Sequence, residues 1–519
     1  MAHKNKKPFL LLILDGWGIG PHDESNAIYL AKTPYYDSYV KRYGFAQLKA
    51  SSIHVGLPAG QDGNSEAGHM NLGAGRIIEQ DSVMISRAIT NGTFFKNPAF
   101  MQAAKHARRY KSNVHLMGLL SNGQSAHSHP DHLIALITFF RYQKVPNIFL
   151  HLFTDGRDSQ RYSAIRLLRK HHTLFMSQST IATIIGRAYA MDRKKDWSHT
   201  RFAYDAMVAG KAPQYSSSAE DAVVTAYNRG ETDEFIQPTV ITKNGRPVGR
   251  ISDNDSVVFF NLRSDRARQM SKPFVQQNFE KENAGAFHRP HRLRHLCFVA
   301  VTDFGPDLDT VLTAFPSSDI IDSLTMMLNT RRQLYIAESE KYAHITYFFN
   351  GGYDKPVAGE KRIMVASPDA LSYKKTPKMG LPGVTRHIIS ALRTGRYDFI
   401  AANISNADMI AHTGSIKATV VAVKYVDACL HRIITQALAN GGIVCITGDH
   451  GNAEELINRE TGEVDTEHSK NPVPCILIKR GAALKIRSSG ILADVAPTIL
   501  DLMGIKKPKL MTGKSLLER

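Results

Sequence analysis

The sequence predicts an α/β protein built on mostly parallel sheets flanked by helices. Three observations predict it. Short apolar runs recur along the 519 residues, at Leu10–Leu14, Val114–Leu120, Ile148–Phe153, Ile181–Ile185, Ser256–Asn261, Cys297–Val301, Phe399–Ile404, Gly442–Thr447 and Pro474–Ile478. Amphipathic stretches of helical length lie between them, among them Asp131–Tyr142, Ser163–Met176, Ile416–Leu438 and Ala493–Leu502. That alternation is the pattern of strand–helix crossovers in a parallel sheet. Third, charged residues gather where the apolar runs stop, and in such sheets chemistry collects at the carboxyl ends of strands.

Taken in order, Leu10–Leu14 ends in Asp15-Gly16. The three lysines before it, Lys4, Lys6 and Lys7, imitate a signal peptide, but the run is too short for a secretory core and reads as a buried first strand. Ile148–Phe153 ends in Thr154-Asp155-Gly156-Arg157-Asp158, and Ile181–Ile185 in Gly186-Arg187. Ser256–Asn261 ends in Leu262-Arg263, Phe399–Ile404 runs on to Asn406 and Asp408, and Gly442–Thr447 ends in Gly448-Asp449-His450-Gly451. Core packing alone gives no reason for this placement. The block Arg289–Arg294 reads as a basic loop before the next strand.

The length suits about two to four domains. No stretch approaches the roughly 18 apolar residues of a membrane span, so the expected location is the cytoplasm. The net charge of +18 and pI near 9.6 favour anionic partners. The basic runs Lys4–Lys7, Arg108–Lys111 and Lys506–Lys509 are short and scattered, as on a solvated surface. With no basic tail and no zinc-knuckle spacing, the chain does not read as a nucleic-acid binder. Cys297, Cys429, Cys445 and Cys475 form no C-x-x-C pair and are expected as free thiols.

Four segments carry ligands for a hard or borderline cation. Asp408 and His412 are four apart, on one face if the segment is helical. Asp449-His450 stands on a Gly-flanked turn, where adjacent side chains can splay to different ions. His468 lies in a polar loop, and Asp15 comes from the first strand end. Singly, such an Asp is often a helix cap and such a His a surface residue. Together they suit manganese, zinc or iron rather than calcium, in a two-metal site for phosphoryl chemistry.

Gly60–His69 is a Gly-rich turn around Ser65, followed by the opening of a helix. Ser65 reads either as an ordinary helix N-cap or as a nucleophile whose attack is favoured by the helix dipole and a metal. Between about 115 and 270 the polar residues change character: His127, Arg157, Asp158, Arg187, Arg193, Arg263 and Arg266. Arginines grip phosphate and carboxylate bidentately, so these residues suggest a pocket for a small, highly anionic substrate. Asp158 is a candidate general acid/base.

In this order, LDGWG at Leu14–Gly18, GNSEAGH at Gly63–His69, TDGRD at Thr154–Asp158, GRAYAMDR at Gly186–Arg193 and RSDRARQ at Arg263–Gln269 resemble the cofactor-independent phosphoglycerate mutases of the alkaline phosphatase superfamily. So do EKYAHIT at Glu340–Thr346, FFNGG at Phe348–Gly352, ADMIAHTG at Ala407–Gly414, GDHGNAE at Gly448–Glu454, NPVP at Asn471–Pro474 and DVAPTILDLMG at Asp494–Gly504. The resemblance implies an alkaline-phosphatase-like metal domain, discontinuous over 1–78 and 316–519. It implies a transferase domain over 80–310, with linkers near 76–80 and 310–317. It implies Asp408, His412 and His468 as ligands of one metal, and Asp15, Ser65, Asp449 and His450 as ligands of the other. His127, Arg157, Asp158, Arg187, Arg193, Arg263, Arg266 and Lys341 become the substrate-binding set.

The implied cofactors are two divalent ions, typically manganese, with no 2,3-bisphosphoglycerate. The implied reaction passes the phosphoryl group of 3-phosphoglycerate to Ser65 and back to the 2-hydroxyl of reoriented glycerate, with domain closure excluding water. A monomer is expected, acting on phosphoglycerate and on neither nucleic acid nor membrane. The chain departs from the family pattern in the longer Ser121–His127 loop with Asn122, in Gly448, in Ser469-Lys470 after His468, and at Tyr353–Lys355. The rival reading is another phosphatase or phosphomutase of the superfamily, against which the arginine-rich middle argues.

Overall fold

The computed structural model describes residues 7–518 apart from 124, 193, 290, 306, 309, 317–319, 370–372, 459–460 and 482. Arg193 therefore falls outside the described residues. The chain forms two compact units, Met1–Gln80 with Asp319–Arg519, and Asp81–Ser318.

The first unit holds an eight-stranded sheet in the order Lys361–Val365, Gln333–Glu338, Phe399–Ile404, Phe9–Leu14, Ile443–Gly448, Val473–Lys479, Gly44–Lys49 and Ser489–Ile491. Val473–Lys479 runs antiparallel to both its neighbours, and the other pairings are parallel. Phe9–Leu14 is central and buried along its whole length. Leu10, Leu12 and Leu14 pack under helices Leu381–Thr394 and Ile416–Ala439. Phe9, Leu11 and Ile13 face the other layer, with helices Ser65–Ala74 and Val495–Leu502. Alternate side chains of a strand point to opposite faces, so a strand covered on both sides must be apolar throughout. Each buried leucine contributes about 1.5–3 kcal/mol.

Register then positions the chemistry. Leu14 pairs with Ile404 on one side and Gly448 on the other. The three strands end at one level, and Asp15, the segment around Asp408, and Asp449 emerge side by side.

The second unit holds a nine-stranded sheet. Eight strands lie in the order Leu312–Phe315, Cys297–Thr302, Ser256–Phe259, Val114–Leu119, Ile148–Thr154, Thr180–Gly186, Thr239–Lys243 and Gln214–Ser216, and Arg246–Pro247 pairs with Thr239–Lys243. Phe153 pairs with Leu119 and Ile185, so the loops carrying His127, Asp158 and Arg187 leave the same edge. Inside this sheet a polar chain crosses three strands. His115 Nε2 lies 3.2 Å from Asp255 Oδ2, His115 Nδ1 3.0 Å from His151 Nε2, and His151 Nδ1 2.9 Å from Thr183 Oγ1. Each member satisfies the next, as buried polar groups require.

Two expected helices differ. The stretch Ser163–Met176 breaks at His171 into Ala164–Lys170 and His172–Gln178. Arg169 and Lys170 stand in the last turn of the first piece, where the dipole favours cations at a terminus. The last long helix starts at Val495 rather than Ala493, after a tighter turn over Leu492–Asp494. The block around Arg289 is a loop before the strand Cys297–Thr302. Arg289 is buried and donates to Glu280 and to the carbonyls of Pro273, Gln276 and Gln277. Among the described residues the four cysteines are free and buried, and no helix is long and apolar enough to cross a membrane.

Candidate functional site

In the first unit, Asp15, Ser65, Lys341, Asp408, His412, Asp449, His450 and His468 converge at the carboxyl ends of the central strands. Among the described residues, three sets of side chains bring ligand atoms within 4.8 Å of one another: Asp408, His412 and His468; Asp15, Asp408 and His450; and Asp15, His69 and Asp449.

The first set is the most telling. His412 stands one turn after Asp408 at the end of helix Asn406–Ala411, so both reach the same side. Its Nδ1 lies 2.8 Å from the Thr466 carbonyl, and His468 Nδ1 lies 2.8 Å from the Gly63 carbonyl. A carbonyl only accepts, so both rings carry their proton on Nδ1 and offer a lone pair at Nε2. Those two Nε2 atoms are 3.1 Å apart, and Asp408 Oδ1 lies 3.3 Å from one and 3.5 Å from the other. Two lone pairs and a carboxylate facing one space call for a cation.

Ser65 opens helix Ser65–Ala74 but is not its cap. Asn64 is, accepting from the Ala67 N–H at 2.8 Å. The Ser65 hydroxyl is thereby left for other partners. It lies 2.8 Å from His450 Nε2, accepts from Lys341 Nζ at 2.8 Å, and donates to Asp15 Oδ1 at 3.3 Å. Asp449 and His450 enter different sets of ligand atoms, with Asp449 Oδ2 3.6 Å from His450 Nε2. Among the described residues no aligned hydrogen bond reaches Asp449 Oδ2, a fully buried carboxylate oxygen, although His69 Nδ1 stands 3.1 Å from it. The donor set, buried carboxylates and imidazoles within reach of one another, fits divalent metal. Gly16 adopts φ +67°, and a Cβ there would lie 2.7 Å from that of Asp408, so the turn after Asp15 admits only glycine.

The electrostatics agree. Burial pushes the Asp15 and Asp408 carboxyls up, but the Lys341 ammonium, 2.7 Å from each, and the neighbouring histidines (His450 beside Asp15, His412 and His468 beside Asp408) together outweigh it and hold both well below the usual carboxylate range. Burial works against the Lys341 charge, and Asp15, Asp408 and Asp449 hold its pKa far above the ordinary lysine value. Burial likewise lowers His450, yet Asp449 and Asp15 push it up to about 10. The field that retains these protons attracts any cation. Lys341, grouped with the arginines by resemblance, thus stands in the first unit beside Ser65.

In the second unit, Arg187 opens a short helix directly after its strand and is buried. It pairs with Asp155 and, at 3.1 Å, with Asp158. Ser125 donates to Asp158 at 2.7 Å. Burial raises the Asp158 carboxyl, but Ser125 and Arg187 bring it below its ordinary value. His127 is lowered to about 4 by burial, then by the charges of Arg187 and Arg263. It is therefore neutral near pH 7, with a buried Nδ1 that, among the described residues, no hydrogen bond reaches. His127, Asp158, Arg187 and Arg263 share one electrostatic environment. Arg157 is half exposed and 3.9 Å from Glu234, and Arg266 donates to the Met191 carbonyl.

Sequence reasoning missed four contributors. Asn403 donates to Asp15 Oδ2 at 2.6 Å and lies 3.0 Å from His69 Nε2. His69 Nδ1 lies 2.9 Å from the Ser65 carbonyl, so both its nitrogens are engaged. Asn452 donates to Asp408 Oδ1 at 2.7 Å, and Glu454 sits behind it, fully buried. Two signals were available: Asn403 is the one amide within an apolar strand, and His69 follows Ser65 at helical spacing.

A family model described as the Metalloenzyme superfamily matches residues 7–507. The 2,3-bisphosphoglycerate-independent phosphoglycerate mutase of Methanococcoides burtonii is 44% identical over 521 residues, covering 99% of each chain. That of Acetivibrio thermocellus is 42% identical, covering 98% of this chain and 99% of its own. A solved structure of Leishmania mexicana phosphoglycerate mutase at low cobalt concentration superposes with a TM-score of 0.75, at 27% identity, over 99% of this chain and 98% of that one.

Proposed function

The chain belongs to the 2,3-bisphosphoglycerate-independent phosphoglycerate mutases of the metalloenzyme superfamily, and from that premise we propose that it interconverts 3-phosphoglycerate and 2-phosphoglycerate through a phosphoserine at Ser65. The single observation that carries the mechanism is the Ser65 hydroxyl, freed from capping by Asn64 and set among Asp15, His450 and Lys341. The names of the relatives and the cluster of charged residues around Arg187 favour this mutase over a phosphatase of the same superfamily.

In this reading Asp408, His412 and His468 hold one divalent ion, and Asp15, Ser65, Asp449 and His450 hold a second, manganese being the metal that suits the mixed carboxylate and imidazole donors. When bound, the metal supplies positive charge that acidifies a coordinated hydroxyl and neutralises phosphoryl oxygens. Ser65 Oγ attacks phosphorus. The Ser65 proton leaves along its hydrogen bond toward Asp15. The bond from phosphorus to the 3-oxygen breaks as the bond to Oγ forms, and the leaving 3-oxygen takes a proton delivered through Asp158. Lys341 neutralises charge at Oγ. Arg157, Arg187, Arg193, Arg263 and Arg266 retain the glycerate, with His127 as a neutral hydrogen-bonding partner. Asp158 moves the proton between the 2- and 3-oxygens. The 2-oxygen then attacks the phosphoserine, and Oγ is released. The reading extends to a monomer in the cytoplasm that needs no bisphosphoglycerate, nucleic acid or membrane.

The test is a mutase assay of metal-depleted protein refilled with manganese, without 2,3-bisphosphoglycerate, beside Ser65→Ala. The expected result is turnover for the parent and none for the variant. A bisphosphate requirement, release of free phosphate in place of the isomer, or turnover by Ser65→Ala would overturn it.

A further inference from the structure

Glu454 is a carboxylate with no exposure to solvent, and no cation pairs with it among the described residues. Instead four neutral donors surround it. Oε2 accepts from the Gly18 N–H at 2.9 Å and the Asn452 N–H at 2.8 Å. Oε1 accepts from Ser469 Oγ and, at 3.2 Å, from Asn471 Nδ2. A buried charge is costly unless its hydrogen-bonding capacity is filled, and here it is filled on both oxygens.

The donors come from three separate segments, and each segment also carries candidate metal ligands. Gly18 closes the turn that begins at Asp15. Asn452 follows Asp449-His450, and its own side chain donates to Asp408 Oδ1. Ser469 follows His468, and its N–H bonds the Gly451 carbonyl at 3.0 Å. Space has been cleared for the carboxylate. A Cβ at Gly18 would lie 2.2 Å from its carboxyl carbon, and a Cβ at Gly451 would lie 2.2 Å from Oε1.

We propose that Glu454 is the positioning residue that holds the Asp15, Asp449–His450 and His468 segments in register, so that both sets of metal ligands are formed before metal arrives. It reaches no ion and no substrate and acts only through residues that do. The inference rests on the metal-centre reading above. Partners behind the ligands of a metal commonly govern about 10–100-fold in affinity.

The test titrates manganese(II) chloride alone into metal-depleted protein by calorimetry, with the manganese paramagnetic resonance signal as a second readout. Glu454→Gln keeps the shape and one acceptor oxygen but removes the charge and two acceptor positions. Gly18→Ala leaves Glu454 in the sequence and displaces its carboxylate. Both variants are expected to bind manganese about 10–100-fold more weakly, with KM for phosphoglycerate unchanged and kcat restored by excess manganese. A residue that merely stabilised the fold would lower the melting temperature and leave the affinity of the folded protein unmoved. Parent-like manganese affinity in folded Glu454→Gln overturns the proposal. If that variant fails to fold, parent-like affinity in Gly18→Ala does so. Failure of the parent to isomerise phosphoglycerate would instead sink the functional reading and leave the metal titration standing.

Discussion

The Nε2 atoms of His412 and His468 face each other across 3.1 Å, each ring fixed by its Nδ1 on a carbonyl. The two nitrogens and Asp408 Oδ1 close on one space that a cation can fill, so metal binding should show as stability. At a manganese concentration a hundred times the dissociation constant, the gain is about 2.7 kcal/mol. A thermal scan with and without manganese should show a raised melting temperature that a chelator reverses. In His412→Ala and His468→Ala the part of the increment owed to the ion between these rings should vanish, leaving that of the second ion. An unchanged increment would mean that the two rings bind no metal.

Lys341 tests charge against ligation. Its ammonium lies 2.7 Å from both Asp15 and Asp408 and 2.8 Å from Ser65 Oγ. Lys341→Ala should lower kcat by about 100- to 1,000-fold, the usual scale for losing one stabiliser of developing charge. Manganese affinity should be no weaker, because a competing cation has gone. Loss of both together, in calorimetry and steady-state kinetics, would make Lys341 a structural residue.

Arg187 bridges Asp155 and Asp158 from a buried position. Removing one partner from such a pair costs about 3–5 kcal/mol, and Arg187→Ala should show that loss in denaturant melts. Arg187→Lys keeps charge without the planar fork. It should raise KM for phosphoglycerate more than about tenfold and change kcat little. An unaltered KM would remove Arg187 from the substrate set.

These residues also show what the sequence made legible. The α/β class followed from apolar runs such as Phe9–Leu14, too short for a buried helix and the right length for a strand covered on both faces, alternating with helix-length amphipathic stretches. The strand ends were legible for the same reason, since Asp15, Asp408 and Asp449 are charges placed where an apolar run stops. The capping role of Asn64 was not legible. Asn and Ser cap equally well, and only backbone geometry separates Asn64 from Ser65. Glu454 was hidden differently. Its donors are backbone and side-chain groups of segments far apart in sequence, and no spacing rule connects Gly18, Asn452 and Ser469. The antiparallel strand Val473–Lys479 shows the same limit, because strand direction is decided by tertiary pairing.

Acid should weaken the second unit. His132 is buried, 2.9 Å from Ser86 Oγ through Nε2, and burial and then His129 lower it to about 3. His151 is also depressed, by burial and by His115. Below the unfolded value of about 6.5, the unfolded chain binds protons that the folded one refuses. The stability is complete above pH 6.5 and is lost as pH falls toward the folded values. His132 alone should account for roughly 2 kcal/mol by pH 5, read from denaturant midpoints at pH 7 and 5. His132→Gln should flatten that slope, and an unchanged slope would show that the ring is not held neutral.

The central strand Phe9–Leu14 pairs only with strands beginning at Phe399 and Ile443. A ribosome adding about 5–20 residues per second takes tens of seconds to deliver those neighbours. During that interval six consecutive apolar residues have no sheet to enter, while Asp81–Ser318 emerges with every strand of its own sheet. The nascent chain therefore carries a sticky amino-terminal segment past an already foldable middle, and that segment is where a chaperone has reason to bind.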